Sequence, residues 1–413
     1  MTSEVVHDSQ SKTIAVVGFS VRAAAQLAKR AGFEVVAVDA CADRDLICDC
    51  RSHIRLDDPN WPNALNAFYP LTPLLLTGGM EHRTQMLDVC HSVAIRRGPT
   101  ASQLHSMRSL ENWAKWVGRC GLGWPLTFRT LQDVDRFEKQ HPTRDWLMKP
   151  IESGGGFGTS DLFKTSPLAD IQCNDQARFY FQERLPGETI GVTFLTSEFG
   201  SSVVGATGAW KPDSKIAGTN YAYRGSYGPI SLLDEQLVKL QRLANIAGNE
   251  SGLLGLWQAD FLLHLGELTL LEINPRWSAS MDILDVCLDL CLVEMHYACI
   301  CMSMRPAVFR EYANSCYLKA QKAMKPMLGK LIVYADDTLV VTRRQSDEWW
   351  LQRWTCDLGS VRNRCQFADI PSAGTEISMG HPLLTVLTTG TSMDSILYEL
   401  QAARSKVLKL LAN

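Results

Sequence analysis

The chain has 413 residues, 46% hydrophobic and 21% charged, which excludes whole-chain disorder, a collagen-like repeat and a coiled coil. Lys and Arg total 41 against 44 Asp and Glu, a net charge of -3, so nothing calls for a nucleic-acid partner. At about 150 residues per domain, two to three domains are expected.

The opening residues, Met1 to Lys12, are polar and lack the apolar core of a secretory signal. Thr13 to Gly18 (TIAVVG) reads as a buried strand, Val21 to Ala31 as a helix stopped at Gly32, and Glu34 to Asp39 (EVVAVD) as a second strand. That rhythm predicts a parallel sheet with crossover helices. Pro59 to Met80 carries no charge but contains Pro59, Pro62, Pro70 and Pro73, so it is not a membrane span. Leu74 to Thr77 is a further strand ending in Gly78-Gly79, with a helix predicted from Glu81 to His91. The first unit is therefore a small doubly wound α/β domain closing near residue 100.

Arg108 to Cys120 predicts an amphipathic helix with Trp113, Trp116 and Val117 on one side, ended at Gly121. From Trp146 the pattern becomes antiparallel, strands alternating with glycine-rich turns: WLMKPI, SGGGFGTS, RFYFQERL, TIGVTFL and SSVVGATGAW. Ser231 to Ala247 reads as a helix. Leu254 to His264 and Leu268 to Ile273 read as two strands around a turn, and Ile283 to Ser303 as helix again. After about residue 325 the chain is β-rich, and Met393 to Leu411 predicts a closing helix. The thirteen cysteines are scattered. Cys48/Cys50 and Cys299/Cys301 lack the second pair of a zinc ribbon, so reduced thiols of a cytoplasmic protein are expected.

The turn after the first strand, Gly18 to Arg22, sits where a dinucleotide fingerprint would sit, and Asp39 follows at the usual remove. Phe19-Ser20 and Val21-Arg22-Ala23 supply neither further glycine, so a nicotinamide cofactor is not expected. The helix start at Ser20 and Arg22 is either an anion contact or a plain packing turn.

Three segments carry chemistry. In Lys149 to Gly158 (KPIESGGGFG), a lysine closes a strand before a loop holding Ser153, Gly154, Gly155, Gly156 and Gly158. Such glycines either let backbone N–H groups converge on an anion or make a flexible turn; the order is not that of a Walker A loop. In Gln182 to Gly191 (QERLPGETIG), Glu183 ends a strand before a turn that can offer backbone groups to a flat base edge. In the third, Asp260 lies on one strand (WQADFLL) and Glu272 and Asn274 on the next (LLEINPR). Residues two apart on a strand share a face, so all three can meet as an oxygen-only set suited to Mg²⁺. Arg276 lies just beyond, where its fork can face a phosphate.

Together, in this order, the segments resemble the ATP-grasp superfamily. The resemblance implies an α/β plus α+β chain in three parts: a Rossmann-like unit (1–100), an ATP-grasp domain (101–305) and a β-rich C-terminal unit with a terminal helix (306–413). It implies ATP and Mg²⁺, or Mn²⁺, as cofactors. Lys149 carries over as a catalytic contact to the phosphates. Ser153, Gly154, Gly155 and Gly156 carry over as the lid. Glu183, Arg184 and Leu185 become the adenine hinge, and Glu188 the ribose carboxylate. Arg108 or Lys115 becomes a second phosphate contact. Asp260, Glu272 and Asn274 become the metal ligands, and Arg276 the catalytic residue that stabilises an acyl phosphate.

The implied reaction joins a small-molecule carboxylate to an amine, without nucleic acid or membrane; relatives often form dimers or larger homo-oligomers. The alternative is a non-catalytic ATP-binding scaffold or regulatory partner. The segments IAVVGFSVRAAAQLAKRAGFEVVAVDACADRD, LTGGMEHR and DIPSAGTEISMGHPLLTVLTTG also resemble a subgroup of ATP-grasp carboligases linked to tetrahydromethanopterin and methanofuran one-carbon metabolism. That suggests glutamate and a cofactor amine, with Ser20, Arg22, Gly78 to Glu81 and Tyr223 to Gly225 as substrate contacts. Lys325, between Met324 and Pro326-Met327, also invites comparison with a carrier lysine.

Overall fold

The computed structural model describes residues 12–92, 97–141, 144–162, 178–211, 221–322, 326–358 and 365–411. Lys325 and its neighbours Ala323 and Met324 lie outside them.

The first four strands make a parallel sheet in the order Ser52–Arg55, Glu34–Asp39, Thr13–Gly18, Leu74–Leu76. Two of them are almost entirely buried, which is why they read as unbroken apolar runs. The strand order reverses between Thr13–Gly18 and Leu74–Leu76, so a crevice opens there at the carboxyl ends. Gly18 serves packing in that crevice: a Cβ on it would lie 2.0 Å from Thr77 Oγ1.

The turn before the helix Arg22–Arg30 is held by Asp39. The Asp39 carboxylate already accepts from the N–H of Val21 (3.0 Å) and of Ala42 (2.6 Å). Asp39 is thus a structural cap and faces no ribose. Arg22, read above as a substrate contact, is 2% exposed and bound to Asp369 at 2.9 Å, with Asp45 at 3.7 Å. It ties the first sheet to the far C-terminal segment. Arg22→Ala should cost about 3–5 kcal/mol, because it takes the cation away from the buried Asp45 and the part-buried Asp369, and should leave substrate KM values unchanged in any folded fraction. Urea unfolding monitored by tryptophan fluorescence checks this.

Other boundaries moved for identifiable reasons. The helix predicted from Glu81 begins at Thr84, because Glu81 is drawn inward by Arg276. The helix predicted from Arg108 begins at Leu110, since Ser109 caps it by accepting from the Asn112 N–H, and a separate helix, Ala101–Met107, precedes it. Arg108 sits in the joint. The helix predicted over 283–303 breaks into Met281–Leu288 and Leu292–Ile300, where Asp285 accepts from the Leu292 N–H. Pro306–Ala320 is a helix that the sequence pattern did not announce; only Phe309, Cys316 and Ala320 are buried along it. Of TLVVTRR only Leu339–Val340 is strand, because Thr342 caps a helix, Arg343–Trp350. The closing helix is Met393–Leu411.

A small antiparallel sheet has the order Thr127–Phe128, Phe179–Glu183, Trp146–Pro150, Ser160–Asp161. The large sheet is antiparallel and eight-stranded: Glu267–Asn274, Gly255–His264, Glu188–Ser197, Gly200–Ala209, Gly225–Ile230, Met327–Tyr334, Pro382–Gly390, Gln366–Ala368. The C-terminal strands therefore extend the central sheet. One core joins Phe194, Trp257 and the helix Asp234–Ser251 to Trp113 and Trp116. Another joins the first helix to Trp277, Met281 and Leu284. All cysteines among the described residues are free, and no described helix is long and apolar enough to cross a membrane.

Candidate active site

The hairpin Gly255–His264 and Glu267–Asn274 places Asp260 directly opposite Glu272, and Gln258 opposite Asn274. A register shift follows Asp260, so that Phe261 pairs with Leu270 and Leu271 is the extra residue. The bulge lets Leu270 and Ile273 both enter the core while Glu272 and Asn274 share the other face.

Asn274 Nδ2 donates to Asp260 Oδ2 (3.0 Å) and Glu272 Oε1 (3.3 Å), and Gln258 Nε2 donates to Asp260 Oδ1 (2.8 Å). Burial and the neighbouring Glu272 charge raise the Asp260 pKa above the ordinary carboxylate range. Burial pushes Glu272 the same way, but Arg108 at 3.7 Å and Lys149 outweigh it and hold its pKa below the usual value. Among the described residues no three His, Cys, Asp or Glu cluster as a metal site. The candidate donor set is two carboxylates and one amide, hard oxygens of the kind Mg²⁺ takes. A half-turn of the Asn274 amide would present its oxygen to an ion.

This pair gives a pH prediction. Asp260 holds a proton that the unfolded chain would release, so its contribution to stability is present at low pH and lost as pH rises through its folded pKa. Glu272 contributes the reverse: stability present above its unfolded pKa and lost as pH falls through the folded one. A metal needs both ionised. Thermal stabilisation by Mg²⁺ should therefore grow as pH rises past the Asp260 value, and Asp260→Asn should flatten that dependence in a melting series at fixed Mg²⁺.

Lys149 is the penultimate residue of the strand Trp146–Pro150, and its Nζ donates to Gln182 Oε1 at 3.1 Å. Burial would lower its pKa, but Tyr180 and Glu272 prevail and raise it, so it stays an ammonium. The glycine loop that follows lies over the site. Gly156 has φ +76°, and a Cβ there would meet the Tyr221 carbonyl oxygen at 1.8 Å. The Tyr223 N–H donates to the Gly155 carbonyl (2.8 Å), and Ser153 Oγ is spent within the loop on the Phe157 carbonyl. Arg108 donates to the carbonyls of Ile151, Ser153 and Ile273, linking loop to hairpin. Lys115 is not brought to the site: it pairs with Glu250 on the outer surface.

The hinge is more open. Glu183, expected to take an adenine amine, is ion-paired with Arg144. The Arg184 N–H is taken by the Asp145 carbonyl (2.8 Å), which leaves its C=O and the half-buried Leu185 for a base edge. Glu188 opens the next strand and is exposed.

Arg276 is held by four hydrogen bonds. Its Nε donates to Glu81 Oε1 (2.9 Å), Nη1 to Ser278 Oγ (2.9 Å) and the Trp277 carbonyl (3.2 Å), and Nη2 to Asn274 Oδ1 (3.1 Å). Glu81 thus enters the site from the first sheet. The sequence offered it only as one of four residues in a glycine turn. Ser278 was not singled out at all, though its place two residues after Arg276 was a usable signal.

Two carboxylates, an amide, a lysine and two arginines thus meet beneath the glycine loop. Residues 114–280 match the ATP-grasp domain model. The chain superposes on the biotin carboxylase domain of Hydrogenobacter thermophilus 2-oxoglutarate carboxylase, solved with MgADP, ADP and bicarbonate: TM-score 0.69, 12% identity, 95% of this chain and 89% of that one. For Campylobacter jejuni biotin carboxylase in complex with β-γ-ATP, the values are 0.67, 13%, 98% and 96%. For Aspergillus clavatus N5-carboxyaminoimidazole synthase with ADP and 5-aminoimidazole ribonucleotide, they are 0.65, 15%, 97% and 99%. Comparison with curated protein sequences gives no match. The protein thus carries an ATP-grasp domain and has the three-part ATP-grasp fold.

Proposed function

We propose that this protein is an ATP- and Mg²⁺-dependent ligase that activates a carboxylate as an acyl phosphate and joins it to an amine. One observation carries the reading: Asp260, Glu272 and Asn274 gather within hydrogen-bond distance of one another, beside Arg276 and in reach of Lys149. Bound Mg²⁺ would neutralise charge on the nucleotide phosphates. Lys149 and Arg108 add fixed positive charge beside that ion's ligands. Arg276, held by Glu81, Ser278 and the Trp277 carbonyl, is positioned to steady a transferred phosphoryl group. The glycine loop would exclude water and so protect an acyl phosphate from hydrolysis.

In this reading Arg184 and Leu185 meet the adenine, Glu188 the ribose, and Glu183 must leave Arg144 to contribute. The chain divides functionally at about residues 100 and 305, although its last strands belong to the central sheet. The proposed acid is glutamate and the proposed amine belongs to a one-carbon cofactor of the methanofuran type. That finer choice rests on the segments of residues 14–45, 76–83 and 369–390, not on geometry. The protein is expected to release ADP from ATP only when acid and amine are both present. Tight ATP binding with no ADP formed from any acid and amine supplied would instead favour the non-catalytic scaffold reading.

A further inference from the structure

Glu81 does something the phosphate centre does not require. It lies just past the strand Leu74–Leu76, beside the crevice where the order of the parallel sheet reverses. Its side chain is wholly buried. Oε1 accepts from Arg276, while Oε2 is shut off from solvent and has no hydrogen-bond partner among the described residues. Burial works against ionisation, but Arg276 and Arg108 outweigh it and bring the Glu81 pKa below the ordinary value. The flap closes on it, since a Cβ at Gly154 would stand 3.2 Å from Glu81 Oε1 and 3.5 Å from Arg276 Nη2.

A charged oxygen kept dry without a donor is a state that folded proteins rarely leave uncompensated. Resting on the ligase reading above, we propose that Glu81 Oε2 receives the N–H of the amine substrate and holds that nitrogen beside Arg276. Three reacting groups must enter this site. The phosphate tail and the carboxylic acid are anions, which an anionic oxygen repels. Among the reacting groups, as distinct from the α-ammonium of an amino-acid substrate, the amine alone brings donors and, as an ammonium, positive charge. The Arg276–Glu81 pair then sorts the two substrates: the guanidinium takes the phosphorylated acyl group and the carboxylate takes the nucleophile. Glu81 is assigned binding and orientation; the proton lost by the amine is not routed through it.

The test uses the full-length enzyme with Mg·ATP, a panel of carboxylic acids that includes L-glutamate and bicarbonate, and two surrogate nucleophiles. Methylamine is an ammonium at neutral pH and hydroxylamine is largely uncharged. Glu81→Gln keeps an acceptor for Arg276 and removes the charge. It should raise KM for methylamine about 30-fold or more and KM for hydroxylamine less than about threefold, and Glu81→Asp should restore much of the difference. Equal losses for both nucleophiles in Glu81→Gln and Glu81→Asp would mean that Glu81 acts only by holding Arg276, and would overturn the proposal. Failure of the wild type to form hydroxamate from any acid overturns the ligase reading and this proposal with it. The two failures are distinguishable because only the second appears in the wild type.

Discussion

Replacing Glu272 with Gln is expected to lower ADP formation by about 10³-fold or more while the protein stays folded. The two readouts separate because Glu272 does two things. As one of two carboxylates in the candidate ion site, it supplies half of the anionic charge there. As a group kept ionised by Arg108 and Lys149, it balances two cations. Gln keeps the volume and an oxygen, so packing is preserved. Burial, the larger cause of the raised Asp260 pKa, stays, but removing the Glu272 charge relieves the repulsion that adds to it, and Asp260 then ionises more readily beside the same cations. Gains and losses in stability offset, and the melting temperature should move little. Mg²⁺-dependent stabilisation, by contrast, should largely disappear. Turnover measured at saturating Mg·ATP, together with melting curves with and without Mg²⁺, gives the answer. Full activity in the variant would show that the hairpin is not where the chemistry happens.

Arg276→Ala is expected to fail in both respects. Activity should fall by about 10²–10³-fold, the usual loss when a fixed stabiliser of transition-state charge is removed. Stability should fall as well, by about 3–5 kcal/mol, because the substitution leaves Glu81 charged and buried with no partner on either oxygen. The double variant Arg276→Ala, Glu81→Gln should recover much of the stability and none of the activity. Arg276→Lys should fold better than Ala yet remain slow, since one ammonium cannot bond Glu81, Ser278 and Asn274 together. Urea titration of the four proteins, paired with ADP release, resolves the two roles. A single Arg276→Ala variant as stable as the wild type would show that Glu81 is neutral in the fold.

The metal-type donors were legible because strand alternation is local physics. Glu272 and Asn274, two apart, had to share a face if LLEIN was a strand, and a carboxylate among Leu270, Leu271 and Ile273 needed a reason to be there. Lys149 and the glycine loop were legible through chain order. Arg108 was named as a phosphate contact by resemblance, but the helix was started at it, two residues before Leu110, because the Ser109 cap leaves little trace in hydrophobic periodicity. Lys115 failed for a plain reason: its helix turns that face towards Glu250. The helix Pro306–Ala320 was missed because so few of its residues are buried.

Residue order alone therefore determined the parallel and antiparallel segments, the hairpin that carries Asp260, Glu272 and Asn274, and the absence of a dinucleotide fingerprint. Each of these depends on residues a few positions apart, whose relative directions the backbone repeat imposes. Only tertiary structure decided that Glu81 meets Arg276 across 195 positions, that Arg22 serves Asp369 across 347, and that Asp39 caps a helix instead of greeting a ribose. Those pairings form where separate sheets and cores come to rest against each other, and charge buried at such a junction is assigned a partner by packing and not by spacing along the chain.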